Sequence, residues 1–346
     1  MRRMRVLIIK TGALGDVLRT TALLPALRRL HPGAEITWVT AAPALPLLEQ
    51  NPLIDRLSLI ADSGAAWRAD VYDWVISLDE EPAACRLASE LKTHRLSGAF
   101  ASADSTPRYT DDTAEWFGMG LLRPEGEGGL ARANELKREN RRPYSTILYE
   151  CLKLPPPVAR PQLFVPPEAR RAAQEWLAAA ALDAYTGVVG INTGAGGRWT
   201  LKKWGEEQTA ALAVELNRRF NVGVVILGGE QEKERNQRIE KLAGGRGVVA
   251  PTGWGLKCFS ALVGLCRAVV TSDSLALHVA VASGVPVVGF FGPTSAAEID
   301  LFGRGRKVVT PLACKCCYLP SCDVRPHCME SIEVQDLLAA TSDWLS

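Results

Sequence analysis

A chain of 346 residues is long for a single hydrophobic core, so two domains of ordinary size are expected. Hydrophobic residues at 47% and charged residues at 23% exclude wholesale disorder. Forty basic against 38 acidic side chains, a formal charge of +2, exclude a charge-driven nucleic-acid partner. No apolar run approaches the about 18 residues that span a bilayer, and Lys10 closes the first run, Val6 to Ile9, too soon for a secretory leader.

The chain is therefore expected to be cytoplasmic, with its nine cysteines mostly reduced. The arginines of Met1-Arg-Arg-Met-Arg5 read as a solvated terminus rather than a membrane anchor.

Arg5 to Ile9 is a short apolar run of the kind buried on both faces of a parallel sheet. Lys10 to Asp16 turns the chain. Val17 to Leu30 then repeats apolar residues at helical spacing (Leu23, Leu27, Leu30) until His31-Pro-Gly33 stops it. Glu35 to Thr40, Ser58 to Ile60 and Trp74 to Leu78 are further strands, each near a helical or loop segment. Between about Ala101 and Arg142 the pattern weakens. A short helix near Pro143 to Lys153 leads into Leu154-Pro-Pro-Pro157, Pro161 and Pro166-Pro167, the best linker candidate in the sequence.

Alternation resumes beyond it. Strands are expected at Val188 to Asn192, Val222 to Leu227, Val248-Val249, Ala268 to Thr271 and Val285 to Phe290. Helices are expected at Glu206 to Phe220, Glu230 to Ala243, Phe259 to Cys266 and Leu275 to Ser283, with a lone helix at Ile332 to Leu345. The pattern is that of two Rossmann-like α/β units, and a small-molecule site is expected in a cleft between them.

Three strand ends carry the chemistry. In Lys10-Thr-Gly-Ala-Leu-Gly-Asp16, Gly12 and Gly15 permit a tight turn at the ligand edge of the first sheet. The loop is neither a Walker loop nor a dinucleotide fingerprint. Asp16 is either the N-cap of the following helix or a carboxylate acting as general base; spacing alone favours the cap.

In Asn192-Thr-Gly-Ala-Gly-Gly-Arg-Trp-Thr-Leu-Lys-Lys-Trp204, glycines leave a strand beside Thr193, and the cations Arg198, Lys202 and Lys203 follow. Exposed amides and cations together suit a pyrophosphate better than a merely solvated basic turn. In Thr271-Ser-Asp-Ser-Leu-Ala-Leu-His278, Ser272, Asp273 and Ser274 are good caps for a helix whose first amides face an anion. His278 lies one turn beyond Ser274, either as a core histidine or as part of that site. Gly228-Gly-Glu-Gln-Glu232 places carboxylates where a ribose is held in dinucleotide sites, and Phe291-Gly-Pro-Thr294 is a turn able to close over a nucleotide.

In this order and spacing, five segments resemble the heptosyltransferases of lipopolysaccharide assembly, glycosyltransferase family 9. They are Arg5 to Asp16, Asn51-Pro-Leu-Ile-Asp55, Trp199-Thr-Leu-Lys-Lys-Trp204, Ser272 to His278 and Phe291 to Thr294, and the resemblance runs from Met4 to about Val334. It implies a GT-B architecture: two facing Rossmann-like domains with mostly parallel sheets and a C-terminal helix packing back on the first. The divisions would be an acceptor-binding domain at 1–162, a nucleotide-sugar-binding domain at 163–330, and a crossing helix at 331–346.

The resemblance further implies that Asp16 is the catalytic base and that Lys202, or its neighbour Lys203, binds donor phosphate. Asp273, Ser274 and His278 would line the donor site and Glu232 would approach the ribose. Implied partners are an ADP-heptose donor, a lipid A-linked lipopolysaccharide core acceptor and, peripherally, the inner face of the bacterial inner membrane. The chain departs from many members in having Leu275 where glycine follows the Asp-Ser/Thr pair, which puts a side chain near the phosphates.

Cys314-Lys-Cys-Cys317, Cys322 and Cys328, with His327 adjacent, place five cysteines in fifteen residues. Cys314, Cys317, Cys322 and Cys328 are the zinc candidates, but the spacing lacks paired Cys-x-x-Cys knuckles and reduced thiols are the expected state. The reaction expected is inverting glycosyl transfer without cofactor or metal, since no Asp-x-Asp motif occurs. Rival readings are a nucleotide-sugar epimerase of similar two-domain architecture and a non-catalytic nucleotide-sugar binding protein. A nicotinamide oxidoreductase ranks lower for want of a complete Gly-x-Gly-x-x-Gly.

Overall fold

The computed structural model describes residues 3–196, 200–319 and 321–345. It divides into two compact units, Met1–Phe164 and Val165–Ser346.

In the first unit, β1 (Arg5–Ile9), β2 (Glu35–Thr40), β3 (Arg56–Leu59), β4 (Trp74–Ser77), β5 (Leu96–Ala101) and β6 (Pro107–Tyr109) form one sheet. Their order is β3-β2-β1-β4-β5-β6, parallel except for the antiparallel edge strand β6. Alternate residues of the central strands go to opposite faces. Val6, Ile8, Trp38 and Ile76 pack under the helices Leu23–Leu30 and Tyr144–Cys151, while Leu7, Ile9, Val39 and Val75 meet the helix Pro82–Glu90. Burial on both faces is why these strands are nearly uninterrupted apolar runs.

β5 escaped the sequence reading because its Leu-Ser-Gly-Ala-Phe-Ala is rich in small residues. The reason is steric: Gly98 has φ +113°, and a Cβ there would collide with the carbonyl of Ser77, its partner on β4. The helix expected at Val17 to Leu30 is two, Leu14–Thr20 and Leu23–Leu30. Pro25 cannot donate to the carbonyl of Thr21, so the chain breaks at Thr21-Ala22. The proline-rich passage is no loose tether in its first half. Arg29 donates to the carbonyls of Pro155 (2.9 Å) and Pro157 (2.8 Å), and Gln162 N donates to Thr21 Oγ1 (2.7 Å).

The second unit repeats the arrangement with β7 (Val188–Asn192), β8 (Gly223–Leu227), β9 (Val248–Val249), β10 (Ala268–Ser272), β11 (Val287–Phe291) and β12 (Gly305–Val309). The order is β9-β8-β7-β10-β11-β12, parallel throughout. β12 is a half-exposed edge whose Arg306 and Lys307 gave no strand signal.

Within the second unit the C-terminal helix Val334–Ser342 packs beside the helix Glu206–Phe220, with Leu337 and Leu338 buried in the core of that sheet. Trp204 Nε1 donates to Ile332 O (3.1 Å) and Arg267 Nε to Trp344 O (3.1 Å), so both ends of the segment are tied down there. Among the described residues no helix is long and apolar enough to cross a membrane.

Candidate active site

In each unit the strand order reverses beside the first strand, between β1 and β4 and between β7 and β10. A doubly wound sheet binds ligands at the carboxyl ends of the strands flanking such a point.

At the first switch point the loop Lys10–Asp16 leaves β1. Asp79, just after β4, is 3% exposed and organises it. Its Oδ2 accepts from Thr11 N (2.7 Å), Thr11 Oγ1 (2.7 Å) and Gly12 N (3.1 Å), and its Oδ1 accepts from Glu81 N (3.2 Å). Lys10 Nζ, also buried, lies 3.6 Å from Oδ2. A buried carboxylate needs this many donors and a counter-charge to offset its lost hydration. Sequence reasoning missed Asp79 because Asp79-Glu-Glu81 reads as a solvated acidic turn. Burial also raises the Glu80 carboxyl above its ordinary range, against the opposing charges of Lys10 and Lys137.

Gly12 has open space where a Cβ would stand, and Gly15 is the second residue of the helix Leu14–Thr20. Asp16 is that helix's third residue. The N-cap is Ala13, so the capping role that spacing favoured is not the one Asp16 has. Its carboxylate is 37% exposed and pairs with Arg19 Nε at 2.9 Å. An acid in the first turn also suits the helix dipole.

At the second switch point, Asn192 Nδ2 bridges the two strand ends, donating to Gly194 O (2.8 Å), Thr271 Oγ1 (3.2 Å) and Ser274 Oγ (3.1 Å). Ser274 is the N-cap residue of the helix Leu275–Ser283, but its hydroxyl meets Asn192 and Thr271 (2.9 Å) instead of capping. Lys202 donates to Asp273 Oδ2 (2.9 Å) and to its carbonyl (3.1 Å); Lys203 donates to Glu232 Oε1 (2.9 Å). Two cations thus stand at strand ends, Lys202 on Asp273 just before the helix Leu275–Ser283 and Lys203 on Glu232 after β8, and cations so placed favour phosphate oxygens.

His278 is buried on the second turn, its Nε2 4.0 Å from Asp273 Oδ1. Leu275, first in the helix, is half-buried. Two expected ligand residues are more internal than the spacing suggested. Thr193 is buried and donates its hydroxyl to Asn236 Oδ1 (2.5 Å). Glu232 is buried, and its second oxygen accepts from Gly229 N (3.2 Å), closing the turn after β8. Arg198 and Trp199 lie outside the described residues.

The cysteine-rich segment braces the turn after β11. Cys316 N donates to Gly292 O and Tyr318 N to Pro293 O, both at 2.9 Å; Ser295 N donates to Tyr318 Oη (3.0 Å), which itself donates to Glu298 Oε1 (2.9 Å). A Cβ on Gly292 would stand 2.5 Å from Cys328 Sγ, so any larger residue there would have to displace that buried thiol. Burial, reinforced by the nearby thiols of Cys317, Cys322 and Cys314, pushes the Cys328 thiol up to about 11. Among the described residues no cysteine forms a disulfide, and no group of three or more His, Cys, Asp or Glu side chains is disposed to hold a metal ion. Cys314 is exposed, Cys317 and Cys322 half-buried and Cys328 buried, although Cys314 and Cys317 do have Cys-x-x-Cys spacing.

The chain is similar to known proteins over nearly its whole length. Lipopolysaccharide heptosyltransferase 1 of Pseudomonas aeruginosa is 25% identical over 342 residues, covering 93% of this chain and 88% of the relative. A crystal structure of a glycosyltransferase family 9 protein from Veillonella parvula superposes with a TM-score of 0.79 at 20% identity, covering 99% of this chain and 97% of that one. The ADP-heptose lipopolysaccharide heptosyltransferase II of Escherichia coli gives 0.71 at 20% identity, covering 99% and 98%. These structural likenesses bear on the fold, which is that of GT-B heptosyltransferases. The sequence profile of glycosyltransferase family 9 (heptosyltransferase) matches residues 143–318, about half of the chain, and with it the two strand-end sites acquire a context: this protein belongs to glycosyltransferase family 9 and is a glycosyltransferase.

Proposed function

We propose that this glycosyltransferase moves a heptose from ADP-heptose to the lipid A-linked core of lipopolysaccharide, with inversion at the anomeric carbon. The observation that carries the donor side is the pair of cations at the carboxyl edge of the second sheet, each held by a carboxylate: Lys202 by Asp273, just before the helix Leu275–Ser283, and Lys203 by Glu232. The curated relative is a lipopolysaccharide heptosyltransferase, and one solved neighbour carries ADP-heptose in its name, which supports the choice of donor and acceptor.

In this mechanism Asp16 takes the proton of an acceptor hydroxyl as that oxygen forms its bond to the anomeric carbon. The bond from that carbon to the phosphate oxygen breaks, and ADP departs with the electron pair. Lys202 and the first amides of Leu275–Ser283 stabilise the charge that develops on the diphosphate. Glu232 orients Lys203 for the same phosphates, Thr193 shapes the loop after β7, and Asp273, Ser274 and His278 form the wall beside them. No step calls on a metal ion. The acceptor being a membrane glycolipid, the enzyme works at the inner membrane surface.

Isothermal calorimetry with ADP-, UDP- and GDP-linked sugars tests the donor. ADP-heptose is expected to bind tightest; a preference for a uridine or guanosine sugar overturns the assignment. Release of ADP from ADP-heptose on adding heptose-free lipopolysaccharide tests the acceptor, and no release in its presence would sink that half of the proposal.

A further inference from the structure

The ion pair between Asp16 and Arg19 differs from other pairs spaced three residues apart on helices of this chain. Arg132–Glu135 exposes 41% and 54% of its two side chains, and Arg218–Glu215 exposes 61% and 22%. Such surface pairs contribute little to stability. In Arg19–Asp16 the cation is the buried partner, at 15%, and the carboxylate the exposed one, at 37%.

The cation is also fixed from behind. The Arg19 guanidinium lies 3.9 Å from the Tyr144 ring centroid and 5.5 Å from that of Trp116. Those two rings meet edge to face at 4.6 Å, closing an aromatic pocket. Tyr144 is 3% exposed and belongs to the helix Tyr144–Cys151, far along the chain.

A second link joins Tyr144 to Asp16. Thr20 Oγ1 donates to the Asp16 carbonyl (2.7 Å), so the phenol of Tyr144, 2.7 Å from Thr20 Oγ1, is the donor in that contact. Burial, the largest influence on Tyr144, raises its phenol, which keeps that proton in place. Asp16 is thus tied to one buried tyrosine through both its side chain and its backbone.

We infer that Arg19 is a positioning residue for the base: clamped by Tyr144 and Trp116, its guanidinium holds the Asp16 carboxylate beside it by charge, restricting where that carboxylate stands for proton transfer. The inference rests on the proposal that Asp16 is the base. A carboxylate left to sample several rotamers spends less time aimed at the acceptor proton, and small misplacements of catalytic groups are costly. Sequence alone shows Arg19 only as a basic residue three positions after Asp16; the aromatic pocket that makes it rigid comes from segments about a hundred residues later.

The test is a double-mutant cycle read by ADP release from ADP-heptose with heptose-free lipopolysaccharide. Arg19→Met keeps the stem that fills the aromatic pocket and removes the charge. It should lower kcat about 10- to 100-fold with the KM for ADP-heptose changed by no more than about twofold. Arg19→Lys should recover about tenfold of that loss, because its ammonium reaches at least as far as the Nε that contacts Asp16. In an Asp16→Asn background Arg19→Met should cost no more than about twofold, since its effect is routed through the carboxylate. Should Arg19→Met fail to fold, Arg19→Gln serves in its place.

An unchanged kcat in Arg19→Met, no recovery in Arg19→Lys, or an equal loss in the Asp16→Asn background overturns the positioning role. Near-normal turnover of Asp16→Asn by itself would instead remove the base on which it rests.

Discussion

At the first switch point the loop after β1 is closed on a single buried carboxylate, Asp79, whose donors are mostly main-chain amides of the same unit. At the second, the loops after β7, β8 and β10 are joined side chain to side chain, through Asn192–Ser274, Lys202–Asp273 and Lys203–Glu232. Both sheets share the strand order 3-2-1-4-5-6, so topology delivers a ligand edge in each and leaves its chemistry open. A carboxylate satisfied by amides is a fixed support. Cations satisfied by carboxylates can exchange partners with phosphate oxygens, which is why the donor diphosphate is proposed at the second edge.

The largest effect should come from the residue the first edge supports. Asp16→Asn preserves shape but removes the carboxylate proposed as the base, so turnover should fall about 10²–10⁴-fold while calorimetric affinity for ADP-heptose stays within about twofold. Turnover near that of the parent would break the comparison at once, leaving Asp16 as an acid in a helix's first turn.

Asp79→Ala attacks the support itself. It strands Lys10 and the amides of Thr11 and Gly12, and should cost about 3–5 kcal/mol in stability, read from urea unfolding. Donor affinity in the fraction that remains folded should be unchanged. A fully stable Asp79→Ala would show that the loop does not depend on that carboxylate.

Lys202→Ala should act in the opposite way. The melting temperature should move by no more than a few degrees, while the Kd for ADP-heptose weakens about 10- to 100-fold, as for the loss of a charge-assisted hydrogen bond, and its salt dependence flattens. If the protein instead unfolds with donor affinity intact, the second edge is as structural as the first.

The smallest effect expected is none: in the proposed mechanism cations of the chain meet the leaving diphosphate, so EDTA should leave turnover within about twofold. Loss restored by magnesium or manganese would assign that work to a metal ion; loss with unfolding and zinc release would point to the cysteine-rich segment.

The double alternation was legible in the sequence because its central strands are buried on both faces, and burial on both faces demands the unbroken runs seen at Val6 to Ile9 and Val188 to Ile191. The strand-end loops were legible because glycines and charges interrupt those runs where a parallel sheet meets its ligands. β5 and β12 were not. One is built of small residues around Gly98 and the other is a charged edge, and neither composition is peculiar to strands.

Local pattern, then, determined what most segments are; which segments meet was decided by the tertiary fold. The C-terminal helix shows an apolar stripe in any context, yet only the tertiary structure shows that stripe meeting Glu206–Phe220 and the core of the second sheet. Asp79 and Tyr144 carry no signal of their own beside Asp16, because hydrogen bonds and aromatic contacts across 60 to 130 residues depend on strand order and helix packing, which no window of neighbouring residues contains.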